Sequence, residues 1–266
     1  FICMEKWAII IGASGGFGLS TVKLLAKKGF NLVLIYRERK SNLETFKTGI
    51  AKITNSVKLI EFNKNANLIE NQELIINSLI TEFKLQNKIS FLMHAIADGN
   101  LNPIFKLSKT QEQVLSSQDF MHTIEAMGTG LLTWTKLLFE NALFTKKASV
   151  LGLTSEGSQR YFKDYAAVAA AKAVLESNIK YIAIELANYG IRANLINAGI
   201  TDTKALKVFP DYENFIKTAK QRNPMGRLTN PDDVAKVVSF LASEDSEWIN
   251  GSIITVDGGE QLLNTF

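Results

Sequence analysis

The chain has 266 residues, 46% of them hydrophobic, and a formal net charge of +4. That length suits one α/β domain with a full core. The sequence contains no run of 18 apolar residues, so no membrane span is predicted. So small a net charge argues against nucleic-acid binding. The single cysteine, Cys3, excludes an intramolecular disulfide, and the only two histidines, His94 and His122, leave little for a metal site. We therefore expect a cytoplasmic protein without a bound metal. Residues 1–3 are either native or an upstream remnant before a natural start at Met4.

Seven apolar, strand-like segments alternate with helical stretches along the whole chain: KWAIII, NLVLIY, VKLIEF, ISFLMHA, ASVLGLT, IRANLIN and SIITVDG. Their lack of strict alternation is typical of strands that are covered by helices on both faces. The helix in GLSTVKLLAKKG is expected to end at Gly29, and that in DDVAKVVSFLAS to begin at Asn230-Pro231. This order predicts a single α/β domain over residues 4–266, a Rossmann-like doubly wound parallel sheet of about seven strands.

The segment IIIGASGGFGLS follows the first predicted strand and opens the first helix. Gly12 allows a tight turn, Gly16 lets the backbone approach phosphates, and Gly18 allows close contact between helix and strand. The helix N-terminus offers free N–H groups to a pyrophosphate, with Ser14 and Phe17 beside it. The turn predicts a dinucleotide site, and the alternative is a glycine cluster that binds no ligand.

The second strand is followed by YRERK, where proteins selective for the unphosphorylated dinucleotide usually carry an acidic residue. Arg37 and Arg39 occupy that region, and a guanidinium suits the geometry of a 2′-phosphate. The pattern favours NADPH over NADH. In the alternative, Arg37 points to solvent and Glu38 holds the ribose. Asn63, after the third strand, is a candidate for the adenine edge or an ordinary turn residue.

The fourth strand ends in HAIADG, which is expected to pass beside the nicotinamide ribose. His94 and Ala95 are therefore predicted to line the cofactor site. We expect His94 to be an oriented or packed residue rather than an acid, and His122 to be structural.

The segment SQRYFKDYAAVAAAKAVLE places Tyr165 seven residues before Lys172 on an alanine-rich helix. Seven residues nearly complete two helical turns, so the two side chains share one face. The position four residues before the lysine holds Val168. The alternative to a functional pair is a tyrosine and a lysine that both lie on the surface of the helix.

A long excursion, residues 199–229, interrupts the alternation beyond the carboxyl end of a strand. Ligands bind at that edge of open α/β sheets, so a substrate lid is expected, with a packing arm as the alternative. The part between Lys204 and Arg227 carries six basic and two acidic residues: Lys204, Lys207, Lys217, Lys220, Arg222 and Arg227 against Asp211 and Glu213. This basic window is either a solvated helical face or a surface for an acidic partner.

Together these residues resemble the short-chain dehydrogenase/reductase family across essentially the whole chain. The glycine turn, the Tyr165/Lys172 helix, NAGITDT after the sixth strand and the terminal VDGG carry the resemblance. Most of that family oxidises alcohols or reduces ketones and has its tyrosine four residues before the lysine. The Tyr-x6-Lys spacing here instead looks like the enoyl-acyl-carrier-protein reductases. SEGSQRYFKDY, TDTKALKVFP and QRNPMGRL look most similar to their NADPH-dependent type III enzymes.

The resemblance implies roles for the residues of the site. Tyr165 would donate a hydrogen bond to the substrate oxygen, and Lys172 would hold the nicotinamide ribose. Ser155 would line the site, and Tyr161 would face substrate or pack.

Three further positions follow from the same resemblance. The ketone-reducing relatives carry an asparagine that relays protons at the position of Met127, so its absence favours enoyl chemistry. The backbone of Ile200 would bind the nicotinamide carboxamide, and Thr203 would lie near the phosphates.

The first hypothesis is thus NADPH-dependent reduction of enoyl thioesters, with the substrate carried on an acidic acyl-carrier protein. The second is a carbonyl or 3-oxoacyl reductase, and the third is a nucleotide-binding regulator without turnover. The family also implies a homo-oligomer, commonly a tetramer.

Overall fold

The computed structural model describes residues 5–84, 88–108, 113–203, 206–208 and 212–263. Seven strands within these ranges form one sheet in the order β3-β2-β1-β4-β5-β6-β7, and every neighbouring pair is parallel. The strands are β1 (Trp7–Ile11), β2 (Asn31–Tyr36), β3 (Leu59–Asn63), β4 (Ile89–His94), β5 (Phe144–Thr154), β6 (Arg192–Ala198) and β7 (Ile253–Val256). The predicted Rossmann-like sheet of seven strands is confirmed.

In the described part of the chain, eight α-helices connect the strands: α1 (Gly16–Lys27), α2 (Lys40–Thr54), α3 (Ile69–Phe83), α4 (Ser117–Thr123), α5 (Gly130–Glu140), α6 (Ala166–Glu185), α7 (Tyr212–Arg222) and α8 (Pro231–Leu241). The predicted ends hold, since Gly29 follows α1 at φ +79° and Asn230 caps α8 through a reciprocal capping box. No described helix has the length and apolar character needed to cross a membrane.

The two faces of the sheet bury separate cores because successive strand residues point in opposite directions. Ile9 and Ile11 of β1 join a core with residues of α3, α5 and α6. Ala8 and Ile10 join a second core with residues of α1 and α8. Helices therefore cover both faces, as predicted.

The strand order reverses between β1 and β4, and this is where a crevice opens in doubly wound sheets. The segments that follow β1, β4, β5 and β6 all leave the same carboxyl edge. Every candidate site residue found in the sequence lies on or next to these segments or on those that follow β2 and β3.

Candidate active site

The turn between β1 and α1 is built from close backbone contacts. Gly12 has a φ of +88°, and a β-carbon there would lie 2.7 Å from the carbonyl oxygen of Ala95. A β-carbon at Gly18 would overlap the carbonyl oxygen of Gly12. No side chain caps the N-terminus of α1, which leaves its first N–H groups without a side-chain acceptor. This turn suits a phosphate, because a phosphate binds where the backbone can approach closely and where N–H donors are unsatisfied.

A cavity of about 450 Å³ lies against this turn. Ser14 and Gly16 line it on one side, and Asp202, Thr203 and Lys207 line it on the other. The structure thus brings the predicted phosphate residues together with Thr203 from the far end of the chain. Lys207, a member of the basic window, adds a cation to this cavity, a position that the sequence did not predict.

The two residues predicted to contact the adenosine half of the cofactor, Arg37 and Asn63, both make contacts within the protein. Arg37 is 66% exposed and lies 3.8 Å from Asp98, an exposed ion pair of small energetic value. The Asn63 amide accepts from the Glu38 N–H at 2.9 Å and donates to the Glu38 carbonyl at 3.0 Å. Asn63 therefore fixes the backbone beside Arg37, and its adenine contact stays a prediction for the remaining N–H. His122 is also within 3.7 Å of Asp98.

Tyr165 and Ser155 meet at the start of α6. The Tyr165 hydroxyl lies 3.2 Å from Ser155 Oγ, which also accepts from the Gly157 N–H at 3.0 Å. Gly157 is required for this pairing because a β-carbon there would overlap the Tyr165 ring. Burial raises the pKa of Tyr165, and the bond with Ser155 opposes part of the rise. The phenol is therefore a protonated hydrogen-bond donor at neutral pH.

Lys172 is buried, with 6% of its surface exposed, and its ammonium donates to the Leu153 carbonyl at 2.8 Å. Burial lowers its pKa to about 8, and the charge of Glu176 opposes the fall. Tyr161, in contrast, is 89% exposed and packs against no core.

His94 is buried below the site, against Gly130 of α5. Burial, and then the charge of Lys172, lowers the pKa of His94 to about 3, so it is neutral. Its Nε2 has no hydrogen-bond partner among the described residues. These features agree with a packed histidine rather than an acid.

The position four residues before Lys172 is closed by apolar packing. Val168 is buried in a small cluster with Met127, and Gly99 lies directly over both. A β-carbon at Gly99 would already lie 2.7 Å from Val168 and 3.0 Å from the Met127 sulfur. The segment after β4 therefore leaves no room for a tyrosine at position 168.

A buried ion network behind the site was missed in the sequence. Arg222, at the end of α7, pairs with Glu156 and lies 3.2 Å from Glu260. Glu260 accepts the Ile200 N–H at 3.0 Å, the group predicted to bind the carboxamide. For the Ile200 N–H to bind the carboxamide, its hydrogen bond to Glu260 must first break. Burial raises the pKa of Glu260, and the Ile200 bond and Arg222 oppose the rise.

Two of the six basic residues in the basic window are paired with carboxylates. Arg222 is only 17% exposed, and Arg227 forms two contacts with Asp233, at 2.6 and 3.2 Å. Lys204 and Asp211 lie outside the described residues. Lys207, Lys217 and Lys220 are exposed and make no ion pair within the described part of the chain.

A profile of the family described as Enoyl-(Acyl carrier protein) reductase matches residues 12–261. The enoyl-[acyl-carrier-protein] reductase [NADPH] FabI of Staphylococcus aureus (strain MRSA252) is 26% identical, over 96% of each chain. The diacetyl reductase [(S)-acetoin forming] of Staphylococcus epidermidis (strain ATCC 35984) is also 26% identical, over 96% of this chain and 98% of that one. The solved enoyl-[acyl-carrier-protein] reductase (NADH) of Aquifex aeolicus VF5 has a TM-score of 0.84 and 22% identity, over 99% of both chains. All three names describe reductases, and they differ in cofactor and in reaction.

Proposed function

Since this chain belongs to the Enoyl-(Acyl carrier protein) reductase family of NAD(P)H-dependent oxidoreductases, we propose that it reduces the 2,3 double bond of enoyl thioesters with NADPH. The observation that carries the proposal is the closed position at Val168 together with the half-buried Tyr165, which lies seven residues before Lys172 and has its hydroxyl against Ser155. A tyrosine at the position usual in the ketone-reducing relatives, four residues before the lysine, would need the space that Gly99 and Met127 occupy.

The chemistry explains why the donor is displaced. When bound, the nicotinamide supplies a hydride, which adds to the β-carbon of the substrate. Electrons then move to the thioester oxygen, two carbons away, so the enolate needs a donor at a different place from a ketone oxygen. Tyr165 is such a donor because its phenol is protonated and held by Ser155. The α-carbon is protonated last, and the overall change adds one hydride and one proton.

Lys172 serves the cofactor in this proposal. Its charged ammonium exchanges the Leu153 carbonyl for the ribose hydroxyls, and its charge favours the enolate. Gly12, Gly16, Gly18, Ser14, Phe17 and Thr203 hold the pyrophosphate, with His94, Ala95 and Ile200 around the nicotinamide half and Asn63 at the adenine. NADPH is preferred because Arg37 carries a guanidinium into the region of the 2′-phosphate.

The excursion 199–229 acts as the lid. Its helix α7 is fixed at Arg222 to Glu156, the residue next to Ser155, which supports a link between lid position and catalytic turn. Lys217 and Lys220 face outward from α7, where an acidic carrier protein would approach. Exposed apolar side chains on the outer face of α6, Tyr181 and Ile184, support a homo-oligomer, with the tetramer as our proposal.

One specific observation favours a second candidate, a carbonyl reductase. A relative named diacetyl reductase matches nearly the whole chain, and Ser155 with Tyr165 would also polarise a ketone. The deciding experiment follows NADPH consumption with crotonyl thioester and with acetoacetyl thioester. We expect turnover of the crotonyl substrate. Turnover of acetoacetyl thioester alone would refute enoyl reduction and support the second candidate.

A further inference from the structure

Glu176 connects the helix of Lys172 to the turn of Ser155. One oxygen, Oε1, accepts the Thr154 hydroxyl at 2.5 Å and the Ser158 hydroxyl at 2.7 Å. The Ser158 hydroxyl also lies 3.0 Å from the Ser155 carbonyl oxygen. A single carboxylate thus fixes the residues before and after Ser155, the partner of Tyr165.

The same carboxylate lies one helical turn after Lys172, where side chains at i and i+4 are neighbours. Among the described residues, the titratable groups that act on the Lys172 ammonium are Glu176 from α6 and the neutral His94 from β4. From β5 it meets only the Leu153 carbonyl. Glu176 itself has the exposed Lys180 one turn further on, with which it forms no ion pair. Glu176 is therefore the carboxylate next to the buried ammonium.

We propose that Glu176 is a positioning residue with two effects: it orders the Ser155 turn, and it balances the charge of Lys172. The proposal rests on the function proposed above for Tyr165 and Lys172. Glu176 does not touch the reacting atoms, and it acts only through these neighbours.

The test compares three variants by NADPH affinity across pH and by crotonyl thioester turnover. Glu176→Gln keeps an acceptor oxygen and removes the charge. Glu185→Gln removes an exposed carboxylate further along the same helix and is the matched control. The double variant Thr154→Val/Ser158→Ala removes the hydroxyls and keeps the charge. Thermal melting checks that each variant is folded.

Lys172 is charged below its pKa of about 8, so NADPH affinity should fall as the pH rises through that value. Without the anion the lysine loses its proton more easily, and in Glu176→Gln the fall should begin about one pH unit lower. Glu185→Gln should follow the wild type. The double variant should keep the wild-type midpoint and lose about tenfold in turnover, because Ser155 loses its anchors.

Two results would overturn the proposal. One is a Glu176→Gln midpoint that stays at the wild-type pH or moves no further than that of Glu185→Gln. The other is a double variant with wild-type turnover. Should the wild type reduce neither thioester, the proposed function fails, and the NADPH midpoints still test the effect of Glu176 on Lys172.

Discussion

The turn after β1 and the turn after β5 lie at the same edge of the sheet and are built in opposite ways. In the first, Gly12 and Gly18 are packed against backbone atoms, and no side chain caps the helix N-terminus. The second is a set of side-chain hydroxyls, with Ser155 and Tyr165 in contact. The difference teaches that the turn proposed for phosphate binding depends on absent side chains, whereas the turn proposed for catalysis depends on the hydroxyls that are present.

Their responses to substitution should therefore differ. Adding one carbon to the glycine turn forces backbone atoms to move, which is a cost to the fold. Removing one oxygen from the β5 turn leaves its packing in place and removes a donor. The predictions below separate loss of chemistry from loss of structure.

The largest effect is expected for Tyr165→Phe. The ring keeps its place over Gly157, but the donor to the enolate oxygen is lost. Removing one such preorganised donor costs about 2.7–4 kcal/mol, so crotonyl thioester turnover should fall roughly a hundred- to thousandfold at unchanged NADPH affinity. Tyr161→Phe is the control because that side chain is exposed. If Tyr161→Phe abolished turnover and Tyr165→Phe did not, the wrong tyrosine has been assigned.

Arg37→Glu tests a part of the proposed nucleotide site where a side chain, rather than the backbone, would contact the cofactor. A guanidinium–phosphate contact is worth about 1.5–3 kcal/mol, so NADPH affinity should fall about ten- to hundredfold. NADH affinity, measured by the same titration, is the internal control and should change far less. A wild type that binds NADH better than NADPH would contradict the assignment.

Gly18→Ala probes the backbone-built turn directly. The new methyl group would overlap the Gly12 carbonyl oxygen, and such overpacking costs about 1–3 kcal/mol of the free energy of unfolding. Urea unfolding should show this loss together with weaker NADPH binding. Gly15→Ala is the matched control, since its φ is −161° and a β-carbon there would meet nothing within 4 Å. Equal stability of the two variants would contradict the close packing.

Local patterns were enough to predict the seven strands, the glycine turn and the helix that carries Lys172, although Tyr165 is the N-cap of that helix rather than part of it. Each depends on residues that are near one another in the chain, or on a periodicity that repeats within one element. The Arg222–Glu156 pair was not predictable, because 66 residues separate its members and either charge alone looks like a surface residue. The closure of the Val168 position was also missed, because it depends on Gly99 from another strand end. Glu176 gave a signal that could have been used, its i+4 spacing from Lys172.

The smallest effect concerns the surface outside both turns, where Lys217 and Lys220 face solvent on α7. Exposed charge pairs contribute about 0.2–1 kcal/mol each, so Lys217→Glu/Lys220→Glu should raise the KM for crotonyl-acyl-carrier protein about two- to tenfold. Added salt should raise the wild-type KM and change that of the variant less, because the Debye length is about 8 Å at physiological ionic strength. The KM for a crotonyl thioester of a small neutral thiol should not change in either protein.

Lys52→Glu, in the last turn of α2 and so at the opposite edge of the sheet, controls for net charge. Lys207 is left out of this pair because it lines the cavity beside the β1–α1 turn, where reversing its charge should weaken binding of the cofactor. A variant that loses activity equally on both thioesters would show that these lysines act on the lid rather than on the carrier.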